Sequence, residues 1–441
     1  MNEVLAAGPA ENIFERLYLD DEAIELYAEL TYAAQSECRK YPEYDLGTNV
    51  ARGHMVYQDF MGTQDLARDL DDLRAAVGSE LLSVWGVSYG TEVAATYASV
   101  YPERIDKMIV DGNVAVSNDI YAAGELFALS LEQVWNGLAF GCNADYFLRG
   151  GDERDTLPAD DLCAAMPYPT QKMFDLEEKA PRETYISAIH MINQAIDLGG
   201  IGGAGVAPIG AMVMACVESL HRSQNFDGEG CCYKVGPRKN KTVADYINQP
   251  EDADERSAAP TTSVRSVDMT GRLNPHDLVN FWQELRTKHP FGFTRAANIL
   301  SVASMPNLPR PVPTYGSALD RVTPLVIGEF HDPATTYTSA QLMKDLFPNG
   351  ALLSWQGYQH GLPRKYGLMQ DPESLTSWAF MSGGHGASEC SNLLAKYLEM
   401  GVLPINGHTC PINGPTANAL KFQIAKDWEA NGGCISNLKY G

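Results

Sequence analysis

Short runs of consecutive apolar residues, each about the length of a strand, alternate along this chain with stretches whose apolar positions recur at helical spacing. The strand-like runs are Leu81 to Val87, Lys107 to Asp111, Pro324 to Phe330 and Gly350 to Trp355. Helical patterns cover Ala6 to Ala34, Thr91 to Ala98, Ala122 to Phe140, Glu183 to Ile196 and Thr338 to Phe347. Strands and helices in alternation predict an α/β protein. Between the second and third runs lie about two hundred residues, Val114 to Val322, far more than a strand connection requires. This interval is expected to form an insertion. The polar run Pro250 to Ser266 within it, with Glu251-Asp252-Ala253-Asp254-Glu255-Arg256, reads as an exposed loop.

The first strand-like run stops at Gly86-Val87-Ser88-Tyr89-Gly90, a G-x-S-x-G sequence followed at once by a helical pattern. A serine on a sharp strand-to-helix turn needs neighbours without side chains, so that backbone passes closely and Oγ stands clear of the sheet. Ser88 is therefore the first candidate nucleophile, against the plainer reading of an ordinary turn. A serine needs a base, and the base an orienting acid. The third run leads into His331-Asp332-Pro333, and the fourth ends in Gly357-Tyr358-Gln359-His360-Gly361. Ser88, Asp332 and His360 thus follow the chain order of the α/β-hydrolase triad. Taken singly, Asp332 also fits a helix N-cap or turn residue, and His360 a loop histidine. His331 is read as a loop residue and Trp85 as core.

Longer stretches carry a resemblance. Asp65 to Arg74, GVSYGTEVAATYASVYPERIDKMIVDGN from Gly86 to Asn113, the Asp332 and His360 segments, and Ser388-Glu389-Cys390 with Tyr397 to Pro404 and Thr409-Cys410-Pro411 resemble the tripeptidyl aminopeptidase-like branch of the α/β-hydrolases. That branch is related to the prolyl aminopeptidases, and scattered matches run from about residue 10 to residue 413. The resemblance implies an α/β-hydrolase fold with Ser88 as nucleophile, Asp332 as orienting acid, His360 as general base and the Tyr89 amide in the oxyanion hole. It also implies a disulfide between Cys390 and Cys410. The expected domains are a catalytic core, 1–113 with 323–441, and a large, mostly helical cap at 114–322. Peptidases of this type hold a substrate's amino terminus with cap carboxylates; Glu125, Glu132, Glu183 and Glu218 are available, and none is singled out.

The chain also departs from the family pattern. The glycine-rich H/N-x-G-G-P-G turn that donates a second oxyanion-hole amide, the D-x-R-G-type segment and the strands around them are absent. The expectation is a central sheet truncated on its N-terminal side, with the elbow strand as an apolar edge. One oxyanion donor is worth on the order of 3 kcal/mol. The glycine cluster Leu198 to Gly205 is the one local candidate to replace it, against the simpler reading of a cap loop.

Composition narrows the classes further. The 441 residues are 45% hydrophobic and 20% charged, enough for a large buried core. A formal net charge of −23 with no basic patch disfavours nucleic acid and anionic membranes as partners. No apolar run approaches the roughly 20 residues of a membrane span, and no signal peptide opens the chain. Nine cysteines without a C-x-x-C pair argue against a zinc ribbon or thioredoxin-like site, and their odd number leaves at least one thiol unpaired. With the sequon Asn240-Lys241-Thr242 they lean towards a secretory origin. His385 and His408 near Cys390 and Cys410 have irregular spacing, so no metal is expected. No Walker or Rossmann glycine pattern follows a strand, so no nucleotide cofactor is implied either.

The expected function is a serine hydrolase acting through an acyl-enzyme, an exopeptidase releasing short N-terminal peptides. The partner is then a small peptide, or a small ester if the chain is instead an esterase, lactonase or thioesterase. A third reading, a catalytically weak remnant that binds a ligand, is favoured by the missing donor turn and opposed by the intact triad order. Oligomeric state is not indicated.

Overall fold

The computed structural model describes residues 21–51, 53–114, 119–148, 169–179, 185, 189, 193, 263–307, 309–310, 317–355, 360–361 and 387–410. The chain enters through helix α1 (Asp21–Cys38) and an antiparallel hairpin of β1 (Asp45–Asn49) and β2 (Gly53–Val56). Helix α2 (Thr63–Ala76) then leads to β3 (Leu82–Val87), helix α3 (Tyr89–Val100) and β4 (Ile105–Asp111). Next come α4 (Ile120–Leu148), α5 (Pro169–Lys179), α6 (Pro275–Lys288) and α7 (Ala297–Ala303). The chain returns through β5 (Leu325–Glu329), α8 (Tyr337–Leu346), β6 (Ala351–Trp355), α9 (Ala387–Met400) and β7 (His408–Cys410).

Strands β3 to β7 form one parallel sheet in sequential order. All four expected runs are strands, with ends within two residues of those read from the pattern. The expectation of four strands is corrected in two places. His408–Cys410 adds a fifth strand beside β6, and the hairpin forms a separate two-stranded sheet. Side-chain alternation then divides the core. Met108, Val110, Val326 and Leu352 face Ala94, Ala95 and Ala98 of α3 and Ala340 and Met343 of α8. Ile109, Leu325, Ile327 and Leu353 face Leu394 and Tyr397 of α9 on the other side. The Tyr397 hydroxyl fastens α9 to the sheet: it accepts from Met108 N at 3.0 Å and lies 2.9 Å from the Met108 and Thr323 carbonyls.

Burial follows position in the sheet. Every residue of β5 is buried, whereas of β3, the edge strand among the described residues, only Gly86 is. Trp85 packs against the α9-side core, as its apolar context predicts. On the far side of α2, Asp71 accepts from Arg74 Nε at 2.9 Å and Tyr97 Oη at 3.1 Å and pairs with Arg104, pinning α2 to α3.

Between β4 and β5 the described residues are largely helical. Tyr185, Ile189 and Asn193 are helical and buried, four residues apart on one face, as the Glu183 to Ile196 pattern predicts. Residues 263–268 are also helical, with Ser263 and Ser266 buried, which corrects the end of the polar run read as an exposed loop. The reason is tertiary: Val267 and Met269 are buried, and the Ser266 carbonyl accepts from Asn307 Nδ2 at 3.0 Å. Helix α1 packs against α6 and α7, and Gln283 Nε2 donates to Asp21 Oδ2 at 2.7 Å. No helix among the described residues is long and apolar enough to cross a membrane.

Candidate active site

Ser88 follows β3 and caps the N-terminus of α3 with φ 56° and ψ −127°. It is the only non-glycine residue with positive φ among the described residues. Such a conformation costs about 1–3 kcal/mol and persists only where its surroundings hold it. Here Ser88 N donates to the Asp111 carbonyl at 3.1 Å, while Ser88 O accepts from Thr91 N at 2.9 Å and Thr91 Oγ1 at 2.6 Å. Thr91 Oγ1 in turn accepts from Val114 N at 3.1 Å, so the turn is tied to the segment leaving β4. Of the two elbow glycines, Gly86 meets the expected need for bare backbone, whereas a Cβ on Gly90 would meet nothing within 4 Å. A Cβ on Gly86 would lie 2.1 Å from the Gly90 carbonyl oxygen, which forbids any side chain there. As the first residue of α3, Tyr89 has an N–H with no intrahelical acceptor, free to face an anion near Ser88.

Asp332 lies in the turn after β5 and is 1% exposed. Its Oδ1 accepts from Ala334 N at 2.7 Å and Thr335 N at 2.9 Å, and its Oδ2 from Thr335 Oγ1 at 2.8 Å. His360, after β6, brings Nδ1 to 2.9 Å from Oδ2 and 3.0 Å from Oδ1. Asp332 is therefore both the turn residue of the plainer reading and the partner of an imidazole. With Nδ1–H donating to the Asp332 carboxyl, Nε2 carries the lone pair of the neutral ring. Burial disfavours the imidazolium, but the Asp332 charge and hydrogen bond, helped by Asp111, outweigh it and raise the His360 pKa above its ordinary value.

The imidazole lies back across the strand ends. Gly112, at φ +61° just after β4, sits under it: a Cβ there would be 3.1 Å from His360 Cε1 and 3.3 Å from Asp332 Oδ2. A Cβ on Gly361 would touch Val87 Cγ1 at 3.4 Å, one residue before Ser88. The structure thus brings His360 and Asp332 into contact and sets Ser88 on the turn after β3, next to Val87, whose side chain approaches Gly361; all three residues follow the carboxyl ends of parallel strands, where open α/β sheets bind ligands.

Two acidic groups here carried no sequence signal of their own. Asp111 ends β4 and Glu329 ends β5; both are buried, and the Glu329 carboxyl faces those of Asp111 and Asp332. A polar network also joins the elbow to residues 263–268. Thr63 donates through N (2.9 Å) and Oγ1 (2.6 Å) to the Asp268 carboxylate, so the Tyr89 hydroxyl, 2.6 Å from Thr63 Oγ1, is the donor in that contact. Burial pushes Asp268 up to about 6, against its Thr63 hydrogen bonds. Burial and the neighbouring Asp268 push Glu92 up to about 8, against the pull of Arg265.

Of the cap carboxylates left open by the sequence, Glu132 accepts from Phe291 N and Gly292 N, both at 2.9 Å, and so serves the fold. Glu125 lies near Lys288 and His289 at the surface. Glu183, Glu218, His385 and the glycine cluster 198–205 lie outside the described residues, as does the side chain of Cys390. Burial keeps His331 below its ordinary pKa, and it makes no part of the Asp332–His360 contact.

A family described as the alpha/beta hydrolase fold matches residues 34–151, which contain Ser88, and one described as TAP-like protein matches 289–367, which contain Asp332 and His360. The chain has the α/β-hydrolase fold. It is similar to the serine protease Hip1 of Mycobacterium tuberculosis, 38% identical over 82 residues, or 19% of this chain and 16% of that protein. It is also similar to the tripeptidyl aminopeptidase of Streptomyces lividans, 42% identical over 77 residues, or 18% of this chain and 14% of that protein. The matched stretch spans about a sixth of the length of these relatives.

Proposed function

We propose that this chain is a serine hydrolase acting through Ser88, His360 and Asp332, with an exopeptidase role on short peptides. The observation that carries the reading is a strained serine on the turn after β3, together with an imidazole after β6 whose Nδ1 lies 2.9 Å from a buried carboxylate. Strain of this kind is stored where chemistry needs a particular side-chain placement. In the proposed reaction Ser88 Oγ attacks the acyl carbon while His360 Nε2 takes its proton. The Tyr89 N–H stabilises the oxyanion of the tetrahedral intermediate. That intermediate collapses as Nε2 returns the proton to the leaving amine, leaving an ester on Ser88. Water, deprotonated by the same nitrogen, releases the acid and restores the serine. Asp332 holds the tautomer throughout. Residues 1–113 and 323–441 form the catalytic core in this reading, and 114–322 the cap that shapes substrate access.

The peptide preference is supported by the similarity to proteins named serine protease and tripeptidyl aminopeptidase. A fluorophosphonate probe on the purified chain should label Ser88 and no other serine, and Ser88→Ala should abolish labelling while the protein stays folded. Labelling that survives the change removes Ser88 from the mechanism. Cleavage of peptides with free but not acetylated amino termini supports the exopeptidase role; hydrolysis of small esters with no cleavage of either peptide refutes it.

A further inference from the structure

We propose that Glu329 and Asp111 form a one-proton carboxyl pair that supports the His360–Gly361 turn, making Glu329 a positioning residue for the imidazole. This rests on reading Ser88, His360 and Asp332 as nucleophile, base and acid. The argument begins with sheet register. Parallel strands β4 and β5 end side by side, with Asp111 opposite Ile327 and Glu329 two residues further along. The strand ends therefore bring the Asp111 and Glu329 carboxyls together, with Asp332 three residues beyond Glu329.

Glu329 is 1% exposed, and neither of its carboxyl oxygens meets a hydrogen-bond donor among the described residues. Ionised carboxylates only accept, so three of them in one buried place leave acceptors facing acceptors. A proton resolves the conflict by turning Glu329 into a donor towards Asp111. The electrostatics agree: burial first, then the charges of Asp111 and Asp332, raise the Glu329 pKa well above the ordinary carboxylate range. The other charged or titratable groups around the cluster are His360, which faces Asp332 and Asp111, Arg295, whose charge acts on His360, and the half-buried His331.

The pair connects to the imidazole through backbone. Asp111 Oδ1 and Oδ2 lie 3.5 and 3.6 Å from the position a Gly361 Cβ would take, and Gly112, next to Asp111, lies under the His360 ring. Asp111 also holds the elbow through its carbonyl, which accepts from Ser88 N. A carboxyl that holds Asp111 in place therefore fixes both the base and the nucleophile turn. Loss of the shared proton at alkaline pH sets two anions against each other beneath the histidine and disturbs its placement.

The full chain tests this directly. Infrared difference spectra at neutral pH should show a protonated carboxylic acid in the wild type that is missing from Glu329→Gln. Fluorophosphonate labelling of the wild type should fall at alkaline pH as the pair ionises, and Glu329→Gln, whose amide still donates, should keep most of the neutral rate and lack that fall. Glu329→Leu, with no donor, should label at least about tenfold more slowly, the scale of a slightly misplaced catalytic group. If Glu329→Leu does not fold, the glutamine variant and the spectra still decide. An acid band unchanged in Glu329→Gln, or an alkaline fall unchanged by it, overturns the pair. Labelling that persists in Ser88→Ala overturns the triad reading and the positioning role with it, whereas the acid band reports the shared proton without reference to Ser88.

Discussion

Gly112→Ala separates the placement of the imidazole from the stability of the fold. The added methyl would lie 3.1 Å from His360 Cε1, 3.2 Å from Nδ1 and 3.3 Å from Asp332 Oδ2, each a few tenths of an ångström inside ordinary contact. Gly112 also sits at φ +61°, which costs an alanine roughly 1–2 kcal/mol. Restricting the unfolded chain returns about 0.4–1 kcal/mol, so the net loss is about 1 kcal/mol against a typical stability of about 5–15 kcal/mol. The protein should remain folded. The methyl presses on the Nδ1–Oδ2 contact itself, so the ring must yield by those tenths. A misplacement of about 1 Å costs about a hundredfold in rate, so a shift of a third to a half of that predicts a loss of about fivefold to tenfold. Fluorophosphonate labelling rates give the loss, urea unfolding gives the stability, and the imidazole proton resonances should show a lower His360 pKa as the Asp332 contact lengthens. A variant that labels at the wild-type rate with an unshifted histidine refutes the placement of Gly112 beneath the ring.

Hydrolysis needs neutral His360, whose pKa burial lowers and Asp332 more than restores, so kcat/KM should rise with pH through a value above the ordinary 6.5 or so. The linked stability runs the other way: the imidazolium–Asp332 contribution is complete below the unfolded pKa and is lost as pH rises through the folded one. Asp332→Asn should lower the rate by about four orders of magnitude while leaving the chain folded, and a rate flat through the histidine range in both proteins contradicts the assignment. Asp71 is held below its ordinary pKa chiefly by the Arg74 hydrogen bond, so its contribution is present above the unfolded value and lost as pH falls through the folded one. Truncation to alanine should cost roughly 2 kcal/mol in urea unfolding with little change in labelling.

The legible strands are those whose residues form a short apolar run, whether the sheet covers them throughout, as β5, or buries only Gly86, as at the edge strand β3. Strand β5 is buried throughout, β6 all but its last residue and β4 from Met108 onward, so each presents buried apolar residues in succession. Strand β7 escaped notice because it is three residues, His-Thr-Cys, of which only Cys410 is buried. The β1–β2 hairpin escaped because β1 is exposed throughout and carries no alternation to detect. Site residues divide in the same way. Ser88, Asp332 and His360 follow strand-like runs in a meaningful order, so local sequence could nominate them. Asp111 and Glu329 become neighbours only through the parallel register of β4 and β5, which no local pattern encodes. Residues 263–266 show the converse error: polar composition suggested a loop, but the helix they open runs on into Val267 and Asp268, drawn inward by partners some two hundred residues earlier, with Thr63 N 2.9 Å from the Asp268 carboxylate.

The costs in this structure are unevenly spread, and their distribution is itself an argument about function. Both faces of the sheet are conventional apolar packing. At the carboxyl ends of the strands, by contrast, one turn contains the only left-handed non-glycine residue described, two glycines at positive φ flank the imidazole, and a glutamate is buried against two other acids. Each feature opposes folding, by about 1–3 kcal/mol for the strained serine alone. Folding could avoid all of them, since a glycine at position 88 or a glutamine at 329 would satisfy the same backbone with less conflict. Their joint presence is accounted for if the strand ends are organised around a reacting group between Ser88 and His360, because a fixed nucleophile and a fixed base require the strain and charge that a stable sheet does not.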